Sequence, residues 1–328
     1  MAEEHQSTGG AGAPFKTTCG GQALIEGILM QGPDKRSIVV RKPDGTLSIE
    51  TTPVQPRPLF WKIPFFRGIY TFVTSMYHGV KALMHSAEIS GAEEEEDYQP
   101  GKFEQWLSRH VSDEKLMSLM LTFSVLLGVV MSLALFIFLP SFLVGVLNSI
   151  VPGGIGLWVM GVLEGVLKAA IFVLYLFACS RMREMHRVFS YHGAEHKTIF
   201  CYENNLELTV ENVRKQPRHH PRCGTSFLFV VIIVSIILSV ALFTPLEISN
   251  VWLRMALHLL LLPVVMGVTY EFNLYVGAHE DIVSRILRAP GLWMQNFTTF
   301  EPDDSMIEVG IAALKEVLPE EKGSDVMK

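Results

Sequence analysis

The sequence predicts a mainly α membrane protein. It reads as about four transmembrane helices plus an interfacial helix, with a small N-terminal cytosolic β domain. Three observations carry that reading. The 328 residues are 49% hydrophobic and only 18% charged, with a mean hydropathy of +0.31, against about 25% charged in soluble domains. Residues 116–139 contain no charged side chain in 24 positions, more than the roughly 20 needed to cross hydrocarbon. Basic residues are also unevenly distributed: eight lie between Arg181 and Arg222, whereas the connections at 140–156 and 244–250 contain no Lys or Arg. By the positive-inside rule the central loop and both termini are cytoplasmic.

Taken in order, residues 1–18 are polar and Gly/Thr-rich, a disordered tail with no apolar core for a signal peptide. Residues 19–58 form the expected β domain. Within it 22–30 reads as one core strand between glycines, and 37–41 and 46–51 pair as a hairpin around Pro43-Asp44-Gly45. Prolines at 53, 56, 58 and 64 end that pattern. Residues 59–90 carry Arg67, His78 and Lys81 beside a run of large apolar side chains, an amphipathic helix that lies in the interface plane or re-enters the membrane. A linker and short helix are expected over 91–115, including the solvated acidic run 93–97.

The transmembrane domain covers 116–276, with spans near 116–139, 157–178, 226–243 and 251–270 and a cytosolic loop at 181–225. Glu164 and Lys168, and Arg254 and His258, stand four apart inside spans, on one helical face. Gly161 and Gly165 make a small-xxx-small face for close helix approach, and with it a route to a homo-oligomer. Residues 277–328 form a C-terminal cytosolic helical segment, with a surface helix over 281–288 broken at Pro290-Gly291 and a second over 303–317.

Net charge is -6, which argues against nucleic acid as partner. The implied partner is the lipid bilayer, and the implied location a cytoplasmic membrane. Cys19, Cys201 and Cys223 then face a reducing compartment and Cys179 a membrane boundary, so structural disulfides are not expected.

The chemistry concentrates at His192-Gly193-Ala194-Glu195-His196. On a helix the two imidazoles lie about 40° apart in azimuth and one turn apart along the axis, placed to hold one ion between them. Neutral imidazole is a common zinc ligand, and an adjacent carboxylate is the usual general base of such a site. Cys201, His219, His220 and Cys223 close the same segment. Glu271, near the cytoplasmic end of the last span, is a distant third ligand, and His279 is another candidate. The expected cofactor is zinc or another divalent metal on His192 and His196, completed by Cys223, His220 or Glu271, with Glu195 as base. Two other readings stay open. The basic residues near 214–222 serve as an anchor to anionic lipid, or Cys201, Cys223 and two histidines hold a closed structural zinc.

Four segments, CGGQALIEGILMQGP at 19–33, YHGAEHKTIFCYE at 191–203, HPRCGTSF at 220–227 and GLWMQNFTTFEP at 291–302, resemble the YqhQ-like family of bacterial inner-membrane proteins, over nearly the whole chain. The resemblance implies a bacterial inner-membrane protein of a family labelled metal-dependent enzymes by prediction. Its matched positions here are Gln22, Glu26, His192, Glu195, His196, Lys197, His220, Arg222, Cys223 and Glu301.

Two function classes follow. One is a metal-dependent, peptidase-like hydrolase acting on membrane-associated substrates, with membrane-protein or lipid-linked substrates. The other is a structural, assembly or transport protein whose metal or histidine cluster only holds the loop. The β domain is expected to pack over the 192–223 segment, since about 40 residues are too few to bury a stable core alone.

Overall fold

A computed structural model describes residues 14–91, 113–248, 250–279, 281–321 and 323–327. The acidic run 93–97, most of the N-terminal tail and most of the linker expected over 91–115 lie outside the described residues. The chain divides into two compact units. The first takes the described residues of Met1–Glu93, Leu176–Phe227 and Tyr270–Lys328, and the second those of Glu94–Tyr175 and Leu228–Thr269.

In the first unit four strands form an antiparallel meander: β1 (Gly20–Leu24), β2 (Gly27–Gln31), β3 (Lys35–Arg41) and β4 (Leu47–Pro53). The β3–β4 hairpin turns at Pro43-Asp44-Gly45 as its turn chemistry requires, with Gly45 at φ 83° and the Asp44 carboxylate accepting from the Thr46 amide at 2.9 Å. The single strand expected over 22–30 is two strands. Ile25-Glu26 reverses the chain, Glu26 sits at φ 49°, and Gln22 pairs with Leu29. Gly27 can follow because a Cβ there would stand 2.6 Å from the Val39 carbonyl. Gln22 and Glu26 therefore do not share a strand face.

Helix α1 (Phe66–Ile89) matches the expected amphipathic helix, and its buried face is made of small residues, Gly68, Gly79, Ala82 and Ser86. Ala82 packs with Leu24, Leu29 and Ile38 of the sheet.

In the second unit α2 (Asp113–Leu133) continues through a π turn at Ala134–Phe138 into α3 (Leu139–Ile150). The segment 140–156, expected as a connection, is thus helical up to Ile150. Helix α4 (Leu157–Ser180) follows, with its last turn in the first unit.

The first unit continues with α5 (Arg183–Glu203) and α6 (Val210–Arg214), so most of the expected loop 181–225 is helical. The Phe300 carbonyl occupies the space a Cβ on Gly193 would need, which gives a physical reason for a glycine that costs about 1 kcal/mol of helix propensity. Helices α7 (Gly224–Phe243) and α8 (Val251–Ala278) belong mainly to the second unit. Helix α9 (Ile282–Thr298) runs through Pro290-Gly291 instead of breaking there, and α10 (Asp304–Val317) ends the helical set. Asp281 and Asp303 cap α9 and α10, accepting from Ser284 and Met306 amides at 2.7 and 3.0 Å.

The core of the first unit joins sheet, α5 and α10: Ile28, Met30, Val39, Tyr191, Ala194 and Leu314 pack in one buried cluster. Each such side chain contributes about 1.5–3 kcal/mol by leaving water. The β strands are therefore not an independent module, as their small size implied.

Among the described residues, three helices are long and apolar enough to cross a membrane: Thr122–Ile150, Leu157–Ser180 and Trp252–Gly277. The expected third of four spans, 226–243, has an apolar run of only Phe227–Phe243, shorter than these. It forms a helix all the same, because its apolar side chains pack in the second unit. Ile236 and Val240 fill the space over Gly165 and Gly161. The small-residue face proposed for a homo-oligomer is thus used within the chain. Here too Glu164, Arg254, His258, Ser141 and Ser239 are all buried. The Glu164 carboxylate accepts from the Ser141 hydroxyl and from Arg254 Nη2 at 2.5 Å, and Lys168 Nζ lies 3.6 Å away. The expected i,i+4 pair is present, extended to an ion cluster contributed by α3, α4 and α8.

Candidate metal centre

Helix α5 places His192 and His196 one turn apart, ring centroids 4.3 Å from each other. His192 Nδ1 lies 2.8 Å from the Thr298 carbonyl, and His196 Nδ1 lies 2.6 Å from the Arg218 carbonyl. A carbonyl only accepts, so each Nδ1 carries its proton and donates. Both Nε2 atoms are thereby turned away from the backbone. His192 Nε2 stands 3.1 Å from Cys223 Sγ, and the buried His196 interacts with the same thiol.

Cys223 reaches the pair because the segment before α7 is pinned to α9. The His220 amide donates to Gln295 Oε1 at 2.8 Å, and Gln295 Nε2 donates back to the His220 carbonyl at 2.8 Å. His192, His196 and Cys223 each offer a ligand atom within 4.8 Å of the others. Zinc bonds of about 2.0–2.3 Å put ligand atoms about 3.5 Å apart, so small side-chain shifts close such a set.

Glu195 is not one of these three but interacts with them electrostatically. It is 5% exposed, its Oε1 accepts from the Gly21 amide at 3.0 Å, and its buried Oε2 has no partner among the described residues. A buried carboxylate oxygen left without a partner costs free energy unless something fills the gap. A divalent ion fits this donor set: two imidazoles oriented by backbone carbonyls, one thiolate and an adjacent carboxylate.

The lowered pKa of the Cys223 thiol suits a metal ligand. Burial opposes ionisation of Cys223, but His192 and His196 outweigh it and hold the thiol well below its ordinary range. Burial disfavours a charged His192, yet the Cys223 thiolate and Glu195 push it up to about 9. Burial raises Glu195, with the two histidines opposing.

The remaining expected residues go elsewhere. Glu271 does not join the cluster; it takes Arg67 through bonds of 2.7 and 2.5 Å and the Phe65 amide at 3.0 Å. His220 turns its Nε2 to Glu203 at 3.5 Å, and Arg222 pairs with the same carboxylate. Buried Cys201 lies 3.5 Å from the Glu207 carbonyl and is not among the three clustered residues. Lys197 spans the Arg214 carbonyl at 3.0 Å and Glu301 at 2.7 Å. Glu26 binds Arg187 at 2.5 Å and accepts from the Tyr191 hydroxyl at 3.1 Å. The Gln22 amide sits against Gly79 of α1, and exposed His279 meets the Tyr275 carbonyl at 2.9 Å.

Sequence reasoning missed Gly21, Gln295 and the carbonyls of Thr298 and Arg218. Any residue supplies a carbonyl, so the last two leave no trace in residue type. Gly21 and Gln295 do lie inside the motifs that carry the resemblance.

The family profile described as a protein of unknown function, DUF1385, matches residues 63–320. The chain belongs to the DUF1385 family. A relative within reach is the uncharacterized protein YqhQ of Bacillus subtilis (strain 168), 34% identical over 305 residues, covering 91% of this chain and 92% of that protein. No solved structure matches the chain. The DUF1385 profile covers the histidine motif, Cys223 and Gln295, so most of the candidate centre lies within the family region.

Proposed function

We propose that this DUF1385 protein is a membrane protein with a divalent-metal centre on His192, His196 and Cys223, and that Glu195 makes the centre hydrolytic. The substrate class is a peptide bond in a membrane-associated protein. The observation that carries this reading is the buried, unpartnered Glu195 Oε2 beside two imidazoles whose Nδ1 protons are both committed to backbone carbonyls. Three protein ligands leave a position open, the pattern of catalytic rather than structural zinc. When bound, the ion supplies Lewis acidity.

The chain's own residues do the rest. Gly21 holds Glu195 Oε1, leaving Oε2 to take a proton from the attacking water and return it to the leaving group. Thr298 and Arg218 keep both imidazoles in the tautomer that presents Nε2. Strand β1 lies over Glu195 and keeps bulk water off it.

One observation favours a second reading. Glu195, His196 and Cys223 are only 5%, 1% and 6% exposed, as expected of a structural metal that pins α5 to the 215–223 segment in an assembly or transport protein. Glu195→Gln separates the two. The hydrolase requires metal and fold retained with function lost in cells that depend on the protein; full complementation by Glu195→Gln leaves only the structural reading.

The centre is assigned to the cytoplasmic face of a bacterial membrane. The support is the eight basic residues between Arg181 and Arg222 and the lack of any Lys or Arg in 140–156. An impermeant thiol reagent applied to intact cells should leave Gln216→Cys unmodified. Rapid modification reverses the orientation.

A further inference from the structure

Two helices of the first unit present apolar faces outward. Helix α1 buries its glycines and Ala82, and exposes Val73, Met76, Tyr77, Val80 and Met84 at 58, 53, 65, 40 and 37%. Met76, Tyr77, Val80, Lys81 and Met84 line a shallow groove of about 460 Å³. The turn before it exposes Leu59 and Phe60. Helix α9 buries Ser284, Gly291, Met294, Gln295 and Thr298 while exposing Ile282, Val283, Ile286 and Trp293. Helix α1 thus turns small residues inward and large apolar ones outward, and α9 buries one large apolar side chain, Met294, while exposing four, a balance opposite to that of a helix that only covers a soluble core.

Charge and attachment identify the occupant. Residues 51–87 carry Arg57, Lys62, Arg67 and Lys81 and no acid, and residues 282–300 carry Arg285 and Arg288 and no acid. Each helix is also tied to the end of a membrane-length helix inside the same unit. The start of α1 is held to Glu271 of α8 by Arg67 and the Phe65 amide. Phe297 of α9 meets Phe177 of α4 ring to edge, centroids 6.1 Å apart. Apolar faces flanked by exposed cations and by Trp61, Tyr70 and Trp293 fit the boundary between headgroups and acyl chains of an anionic leaflet. Flexible methionines suit the disordered chains. We propose that α1 and α9 together form a lipid-docking surface that lies in an anionic leaflet, with Lys81 and Arg285 at the phosphates. This rests on the reading that α4 and α8 cross the membrane.

The test uses the full chain, purified and placed in nanodiscs of phosphatidylcholine alone or mixed with phosphatidylglycerol. Nitroxide labels are placed at Met76→Cys, Val80→Cys and Ile286→Cys, and collision with oxygen is compared with collision with a water-soluble nickel chelate. Asp44→Cys, on the exposed hairpin turn, serves as the aqueous reference and Leu174→Cys, in α4, as the membrane reference. Labels on both helices should favour oxygen several-fold over the Asp44 reference, and more so in the anionic discs. Lys81→Glu with Arg285→Glu should abolish the difference between the two lipid compositions. If the Leu174 label is lipid-exposed while those on α1 or α9 meet the chelate, the docking surface is overturned and the membrane reading stands. A Leu174 label in water removes both. Labels shielded from both reagents place a protein, either a second copy or a partner, on the surface and also overturn the proposal. A charge-reversed chain that still distinguishes the two compositions removes the anionic lipid.

Discussion

The backbone amide of Gly21 donates to Glu195 Oε1 at 3.0 Å, so a residue of the first strand holds the carboxylate of a helix 174 positions away. The approach depends on glycine. A Cβ at position 21 would stand 2.6 Å from the Leu29 carbonyl and 3.1 Å from Glu195 Cδ. Gly21→Ala is therefore expected to cost about 1–3 kcal/mol of stability through overpacking and to displace Glu195 while sparing the metal ligands. Denaturant unfolding together with metal content tests this. A fully stable Gly21→Ala with unchanged function would show that the contact is incidental.

Metal content follows from the ligand set. Protein purified without chelators should carry one divalent ion per chain, and His192→Ala, His196→Ala or Cys223→Ala should each lose it. Gln295→Leu removes both hydrogen bonds that fix the His220 backbone ahead of Cys223. It should weaken affinity by about 10–100-fold, as loss of outer supports of metal ligands commonly does. Elemental analysis and competition with a chromogenic chelator measure both effects. Metal-free wild-type protein would end the assignment, and retention of the ion by all three ligand variants would move it elsewhere.

Without metal, the upward shift of His192 and the downward shift of Cys223 favour an imidazolium–thiolate pair. The folded-state value of His192 is raised to about 9, above its ordinary value near 6.5. Its contribution to stability is therefore fully present below about pH 6.5 and is lost as pH rises through about 9. Cys223 shifts the other way, so its contribution is lost as pH falls through its depressed value. The stability gap between metal-free wild type and His192→Gln should thus be wide near neutrality and narrow by about pH 10. A gap that stays constant over that interval argues against the pair.

In the second unit Glu164 is the one carboxylate that the described residues set against buried Arg254, and Lys168 lies on the same oxygen pair. Glu164→Gln leaves a buried guanidinium without its counter-charge, at a cost of about 3–5 kcal/mol. Thermal unfolding in detergent should show a large loss, partly restored when Arg254→Gln is added, because the second change removes the orphaned charge. A single variant as stable as wild type would mean that water or lipid already solvates Arg254.

Several features were legible in the residues because they depend on local patterning. The hairpin at Pro43-Asp44-Gly45 follows from turn chemistry, and α1 and the apolar helices from periodicity and length. His192 and His196 share a helix face through their spacing alone. Other readings failed where a contact distant in sequence overrode the local rule. Pro290-Gly291 stays helical inside α9, which is held by its buried face and the Asp281 cap. The run 22–30 splits at Glu26, whose carboxylate is held by Arg187 and Tyr191 of α5. Glu271, expected as a distant ligand, is claimed by Arg67, a residue 204 positions earlier.

The sequence by itself determined the β3–β4 hairpin, the long apolar helices and the pair of imidazoles, because each arises from spacing of 2, 3.6 or about 20 residues along one stretch of chain. Only the tertiary structure decided which other groups meet those imidazoles. Cys223 instead of Glu271, the carbonyls of Thr298 and Arg218, and the Gly21 amide on Glu195 come together through packing of the sheet, α5, α9 and the 215–223 segment. Backbone groups have no residue identity to read, and a buried charge takes whichever partner the fold brings within hydrogen-bond reach.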